Sequence, residues 1–526
     1  MRPPDVRPWG NKGVMGNIVK TTLNMEAMRS MDPSDYLSPL DVILDEKAFL
    51  SHILEGAKLP TVRKVSRCMS HHEVVLTDFG IFRRRLPGEE RCHYSMALFT
   101  VLKKSGELRL IQDDRLLNKI YERPPEMYLP KIHDLIEEIL KNEFIGQADA
   151  VSMFYQFALH KDLQKYFAVL LGGGRGETVE GRMTRMPMGF SWAPAIGQRC
   201  ANVLIRDLGR AWVDNFMVLG TDETDFAIKR SKFLERCRQV NMQLDDEELK
   251  PVRETTALGI EFDLRRKRYR MDSDWCVKTA LKIRALLDGD LTIHGLYEIS
   301  GSLIWRNHVM ERKLCNMPHI LNALSVEGSA ISHNTKAWSS VITVTLELRE
   351  EILKEVLVLE GNAYGYLKAQ TESEVDIWTD ASLTHAAYLI FRNQVLIASG
   401  QIELPPQHIF YSELHIAIEA VKKAQSMGFK SGTMFIDNAP TAICMERRAS
   451  SNFTANRALA KLPDFDTKVQ WVPSAVEMAD TFTRPPFGLP HLPPVRVPPN
   501  GTHASILTAL IPGASPQVRA MGHHTF

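Results

Sequence analysis

The sequence contains no CxxC pair. Its seven cysteines, Cys68, Cys92, Cys200, Cys237, Cys276, Cys315 and Cys444, are scattered, which speaks against both a disulfide framework and a zinc ribbon. Cys68 with His71 and His72 looks ligand-like, but no second half-site lies nearby in the sequence. Long apolar runs are missing too. None reaches the roughly 18 residues that a membrane helix needs, and MRPPDVRPWGNKG at the start carries no apolar signal core. The expectation is an intracellular protein, nuclear or cytoplasmic, neither secreted nor membrane-bound. An excess of one charge is also absent: 64 basic residues face 63 acidic ones, for a net +1. Any polyanionic partner must therefore be sought in local patches. LLGGGRGETVEG has glycines enough for a phosphate loop but not the GK[ST] ending, so it reads as a hairpin tip.

What the sequence does have is length and apolar content. Its 526 residues, 44% hydrophobic and 24% charged, suit a globular chain of roughly two to four domains. Residues 1–78 mix Pro, Met and charge around one amphipathic stretch, DVILDEKAFLSHILEGAKL, expected to be a helix packed on the next domain. MALFTVLKKSGELRLIQDDRLLNKI alternates apolar and polar residues about a Ser-Gly turn, as a hairpin does, with Lys103, Lys104, Arg109 and Arg115 interspersed. Those charges are either a solvated face or a basic fingertip for a polyphosphate. YLPKIHDLIEEILKN comes next, as a helix after a proline stop.

Two carboxylates then stand in apolar surroundings. QADAVSMFYQFAL reads as a strand over 147–159 that carries Asp149, and AWVDNF puts Asp214 at the turn of a hairpin. Burying an acid in an apolar strand is costly unless its charge is compensated, and a divalent cation shared by two acids is a suitable compensation. Further on, LRRKRYRMD is the densest basic cluster, with Arg265, Arg266, Lys267, Arg268 and Arg270 around Tyr269. It is either a solvated hairpin tip or a contact to a nucleic-acid backbone. Residues 275–365 read as mostly helical. A second set of acids begins in EVDIWTDASLTHAAYLIFRNQVLIASGQIE, a run of strands with Asp380 in the first. Glu413 lies near the start of the helix YSELHIAIEAVKKAQSMG, Asp437 closes the strand in TMFIDNAPTAI, and Asp480 sits at a helix start in WVPSAVEMADTFTRP. Acids delivered from strand, helix, strand and helix suggest an α/β layer that gathers carboxylates for two-metal phosphodiester hydrolysis. Beyond Pro485 the tail is proline-rich and expected to be extended or disordered.

The blocks FTVLKKSGELRLIQDDRLLNKI, YLPKIHDLI, QADAVSMFYQFAL, MPMGFSWAPAIGQR, WVDNF and ALGIEFDL, in this order over about 170 residues, resemble the successive motifs of reverse transcriptases. The resemblance implies that Lys103 and Arg109 contact an incoming deoxynucleoside triphosphate. Asp149 and Asp214, helped by the carbonyl of Ala150, would hold two Mg²⁺ (or Mn²⁺) ions. Phe154 would sense the sugar's 2′ position, Gly189 would allow close approach of template or nucleotide, and Gln198, on the helix beside it, would join them in binding the nucleotide. The acids Asp380, Glu413, Asp437 and Asp480 resemble the RNase H quartet of retroelements, again with two metal ions. WVDNF departs from the family, because Asn215 stands where a second acid is usual. An amide oxygen accepts but carries no charge, so the catalytic trio Asp149, Asp214 and Asn215 is either a tolerated variant, like the Asp-Asn pair of negative-strand RNA virus polymerases, or a silenced polymerase. That second case would leave RNase H cleavage or nucleic-acid binding alone.

The implied fold is α/β (α+β): a right-hand polymerase with fingers, palm and thumb, a helical connection and a C-terminal RNase H-like domain. Its expected segments are an N-terminal extension at 1–78, fingers and palm at 79–272, thumb and connection at 273–370, the RNase H-like domain at 371–485 and the tail at 486–526. The partners implied are an RNA template, a DNA primer, the RNA–DNA hybrid and deoxynucleoside triphosphates. TDAS, SEL, FIDN and MADTFTR, with no Asp-Thr-Gly or Asp-Ser-Gly protease signature and no zinc-binding integrase head, resemble the DIRS-like lineage and, within it, trypanosomatid VIPER-type elements. That lineage integrates through a tyrosine recombinase, which would come from another element-encoded protein.

Overall fold

A computed structural model describes residues 20–32, 34–69, 73–102, 108–172, 178–367, 373–405, 407–450, 452–474 and 477–483. Lys103, Lys104, His71, His72, the tip of LLGGGRGETVEG and the proline-rich tail lie outside them, as does the side chain of Cys68. The architecture is mixed α/β, in two compact units, Met1–Tyr269 and Arg270–Phe526. Among the described residues no helix is long and apolar enough to cross a membrane.

The first unit is built around one apolar core. It runs from Leu23, Met28, Ile43 and Phe49 through Leu98, Phe167 and Met183 to Phe216 and Phe233, so residues 20–51 share one interior with the strands and helices C-terminal to them. The stretch expected as one helix over 41–59 instead breaks into Asp41–Leu44 and Glu46–Ser51. The break is at Asp45, whose backbone is extended and whose side chain accepts the Ala48 N–H, so it caps a new helix. The hairpin expected around the Ser-Gly turn is present as Leu98–Leu102 paired with Leu108–Gln112. A three-stranded antiparallel sheet has Asn215–Gly220 at its centre, flanked by Phe144–Asp149 and Gly209–Trp212. The helices Ile132–Lys141 and Glu223–Gln239 belong to the same unit. The second of them is capped by Asp222, with Glu223 and Asp225 in its first turn and Arg236 and Arg238 in its last, as the helix dipole favours.

The second unit opens with the helices Ser273–Asp288, Ile293–Val309, Pro318–Ser332 and Leu346–Gly361. After them comes a five-stranded sheet, in the order Val395–Glu403, His385–Arg392, Val375–Ala381, Ser431–Ile436, Asp466–Trp471. The first three strands are antiparallel and the last three run parallel. The central strand Val375–Ala381 is buried along almost its whole length, as a strand covered on both faces must be. Helix Ile409–Ser426 buries Glu413, Ile416, Ala417, Ala420, Val421 and Ala424. That three-and-four spacing makes one stripe, and it carries Glu413 inward with its apolar neighbours.

Candidate active sites

In the first unit the register pairs Asp149 with Asn215 and Trp212 with Asn215. The loop between Trp212 and Asn215 is therefore two residues, Val213 and Asp214. Val213 takes φ +55°, a conformation that a β-branched side chain disfavours. Gln198, fully buried on helix Ala193–Ile205, holds it there. Its Oε1 accepts the Val213 N–H at 2.6 Å, and its Nε2 donates to the Ala211 carbonyl at 3.0 Å and to Asn202 Oδ1 at 2.8 Å. The Gln198 side chain, expected beside the nucleotide, is turned into the protein, where it positions the Asp214 turn.

The turn is also fastened to the Asp149 strand. The Ala150 N–H donates to the Asp214 carbonyl at 2.7 Å, and Asn215 Nδ2 donates to Asp149 Oδ1 at 2.7 Å. Asp245, which no motif in the sequence marks, brackets Asp149 from the other side. Its Oδ1 accepts the Asp149 N–H at 2.7 Å, and its own N–H donates to the Asp149 carbonyl at 2.9 Å. Asp149 and Asp214 are both solvent-exposed, yet both carboxyls are pushed above their ordinary range. For Asp149 the leading cause is partial desolvation, opposed by the Asn215 amide and reinforced by Asp214 and Asp245. For Asp214 it is again desolvation, opposed by its own backbone N–H and by the guanidinium of Arg109. Asn215 Oδ1 is buried with no hydrogen-bond donor of the protein on it. Two exposed carboxylates on neighbouring segments are the kind of oxygen ligand that suits a hard divalent cation.

The other residues expected at this site fall elsewhere. The strand expected over 147–159 stops at Asp149, because Ser152 turns left-handed at φ 44° and starts the 3-10 turn Met153–Gln156. Phe154 sits on that turn, half-buried, with its ring 3.1 Å from where a Cβ on Gly197 would be. At Gly189 the close approach is to the Gln112 carbonyl, 2.0 Å from a hypothetical Cβ, and not to open space. Three members of the basic cluster are paired within the protein: Arg266 and Arg268 share Asp263, and Lys267 meets Glu143. Arg265 is exposed. In the second unit, Arg270 lies over the ring of Tyr364.

The second site lies at the carboxyl ends of the parallel strands Val375–Ala381 and Ser431–Ile436, where Asp380 and Asp437 emerge side by side. Asp380, Glu413 and Asp437 each offer an oxygen within 4.8 Å of the others. Asp480, on the 3-10 turn Asp480–Phe482, lines the same cleft with Ser474 and Thr483. Each member of the trio has one oxygen tied by the protein. The Ala381 N–H donates to Glu413 Oε1 at 3.1 Å, Thr483 Oγ1 to Asp380 Oδ2 at 2.6 Å and Ser474 Oγ to Asp437 Oδ2 at 2.6 Å. Glu413 Oε2 is buried with no donor on it.

Burial, opposed by the Thr483 hydroxyl and reinforced by Asp437 and Asp480, pushes Asp380 up to about 7. Burial together with the facing acids pushes Glu413 up to about 9. A fifth acid, Glu477, is 4% exposed and is raised to about 9 by burial, with Asp380, Asp437 and Glu413 adding to the rise. Acids crowded this closely are stable in charged form only with a cation among them, and the bare Glu413 oxygen fits that role. Nothing in the residue types of Glu477, Thr483 and Ser474 marks them in the sequence. The only cue is their position within three to six residues of Asp480.

The comparisons agree with the first unit. The family described as "Reverse transcriptase (RNA-dependent DNA polymerase)" matches residues 101–262. The Pol polyprotein of Ovine maedi visna related virus (strain South Africa) is 21% identical over 315 residues, which is 56% of this chain and 26% of that polyprotein. The retrovirus-related Pol polyprotein from transposon 412 of Drosophila melanogaster is 25% identical over 179 residues, 32% of this chain and 14% of the relative. The chain thus spans about a quarter or less of the curated relatives it matches. Among solved structures, the foamy viral protease-reverse transcriptase dRH in complex with ds DNA aligns at a TM-score of 0.49 and 16% identity, covering 80% of this chain and 73% of that one. Residues 101–262 thus match the reverse transcriptase family, and the chain is similar to retroviral and retrotransposon Pol polyproteins.

Proposed function

We propose that this chain is a retroelement reverse transcriptase that extends a DNA primer on an RNA template and cuts the RNA of the resulting hybrid. The observation that supports this best is that the turn bearing Asp214 is fastened beside Asp149, whose strand partner is Asn215, inside the stretch that matches the reverse transcriptase family. In this reading fingers and palm fall within 79–272, the thumb and helical connection within 273–370 and the nuclease within 371–485. Asp149, Asp214 and the Ala150 carbonyl would hold divalent ions in the palm, and Asp380, Glu413, Asp437 and Asp480 would hold them in the nuclease. Bound Mg²⁺ would acidify the attacking hydroxyl or water and offset charge on the leaving group.

The protein's own residues supply the rest. Arg109 would balance negative charge at the palm, where its guanidinium favours the ionised Asp214. Asp245 and Asn215 fix Asp149 from both sides. Gln198 fixes the turn that presents Asp214. In the nuclease, the hydroxyls of Thr483 and Ser474 set which carboxylate oxygens stay open. Within the retroelements we assign the chain to the DIRS-like lineage on TDAS, SEL, FIDN and MADTFTR, and expect its recombinase on another protein.

The test is primer extension on an RNA template by the purified chain, in Mg²⁺ and in Mn²⁺. Asp149→Asn should abolish extension and spare hybrid cleavage, and Glu413→Gln should do the reverse. Hybrid cleavage with no extension in either metal would sink the polymerase half and leave a hybrid-specific nuclease.

A further inference from the structure

The geometry points to Thr483 as a positioning residue of the nuclease site: its hydroxyl fixes one oxygen of Asp380 and ties the turn that carries Asp480 to the central strand. This rests on the nuclease reading above. Thr483 is 1% exposed and Asp380 4% exposed, so water does not compete for their 2.6 Å contact. A hydroxyl has one proton to give. Thr483 Oγ1 also lies 3.0 Å from the Asp480 carbonyl, but the carboxylate is the shorter and charge-assisted acceptor. The other two carboxylates are held differently. Glu413 is tied by a main-chain N–H, which no side-chain substitution removes, and Asp437 by a serine at an exposed position.

Thr483 also closes its own turn, since its N–H donates to the Asp480 carbonyl at 3.2 Å. On the far side, Gln401 Nε2 donates to the Phe482 carbonyl at 2.7 Å. The segment bearing Asp480 is thus pinned to the sheet twice, at Gln401 on strand Val395–Glu403 and, through Thr483, at Asp380 itself. Removing the hydroxyl frees Asp380 to rotate and slackens the Asp480 turn, so two acids lose their fixed geometry together. Loss of such a supporting hydrogen bond typically weakens metal affinity by roughly 10- to 100-fold.

The experiment compares Thr483→Val and Thr483→Ser in the full chain, with Asp214→Asn throughout to weaken palm metal binding. Mn²⁺ binding is read by electron paramagnetic resonance, and hybrid cleavage is followed against Mg²⁺ concentration. Valine keeps the shape and should raise the Mn²⁺ dissociation constant and the half-saturating Mg²⁺ about tenfold or more. Serine keeps the donor and should stay within about threefold of the parent. Equal Mn²⁺ binding by the valine chain and the parent overturns the inference, and so does a serine chain as weak as the valine one. If the valine chain loses its native circular dichroism, Thr483→Ala replaces it, and the same comparison decides. A parent that binds Mn²⁺ but cuts no hybrid refutes the nuclease function, while the binding comparison still judges Thr483.

Discussion

The two acid sites hold their charge in opposite ways. Asp149 and Asp214 stand at an exposed edge, steadied by an amide, a backbone N–H and the guanidinium charge of Arg109. Asp380 and Glu413 are almost wholly buried, and hydroxyl or main-chain donors take one oxygen of each. Solvent carries much of the electrostatic cost in the first site. In the second the fold carries it, and the raised Asp380 and Glu413 record the difference.

The sharpest way to break this comparison is to neutralise each site in turn. Asp149→Asn should lower primer extension by roughly 10³-fold or more and leave hybrid cleavage within about twofold, with Glu413→Gln showing the mirror image. Parallel single-turnover assays check both, and a variant that lost both activities would mean the sites are not separable. Next in size is Gln198→Leu, which leaves the Val213 N–H and the Ala211 carbonyl without their partner. It should cost about 3 kcal/mol of stability in denaturant melts and depress extension more than cleavage.

A pH series sharpens the contrast further. Asp380 and Glu413 are raised above their unfolded values, so the metal-free folded chain binds protons more tightly than the unfolded one. The stability this confers is full below the ordinary carboxylate range and is lost as pH rises through about 7 and then about 9. Thermal unfolding in EDTA should therefore show the C-terminal transition falling between pH 5 and pH 9, and Mg²⁺ should recover part of the loss at pH 9. Equal shifts of both transitions would contradict the proposed difference. The smallest effect expected is that of Asn215→Asp. It removes the donor to Asp149 Oδ1 and sets a like charge beside it, at a cost of about 1 kcal/mol in the metal-free chain. In Mg²⁺ the added carboxylate should hold extension level or raise it a few-fold.

The sequence exposes the acids and their order because chemistry fixes residue type and spacing at such positions. Asp149, Asp214 and the series 380, 413, 437 and 480 are legible for that reason. The supports are not, because a buried Gln or Thr has no marked residue type. Gln198 and Thr483 gain their roles from partners 15 and 103 residues away. Asp245 is hidden among the neighbouring acids of LDDEELK. A strand over 147–159 is too long because apolar alternation continues past the point where Ser152 turns the backbone. A glycine at 189 suggests room for a ligand, but the Gln112 carbonyl, distant in sequence, fills that room.

The shared core of the first unit bears on how the chain is made. Arg185 donates to the carbonyl of Lys20 across 165 residues of sequence, and Leu23, Met28 and Phe49 are buried in the same interior. At roughly 5–20 residues per second, synthesis of that intervening length takes on the order of ten to thirty seconds. For that interval Leu23, Met28 and Phe49 have been made but still lack part of the interior that buries them. Residues 20–51 complete their burial only after the chain through Arg185 has been made.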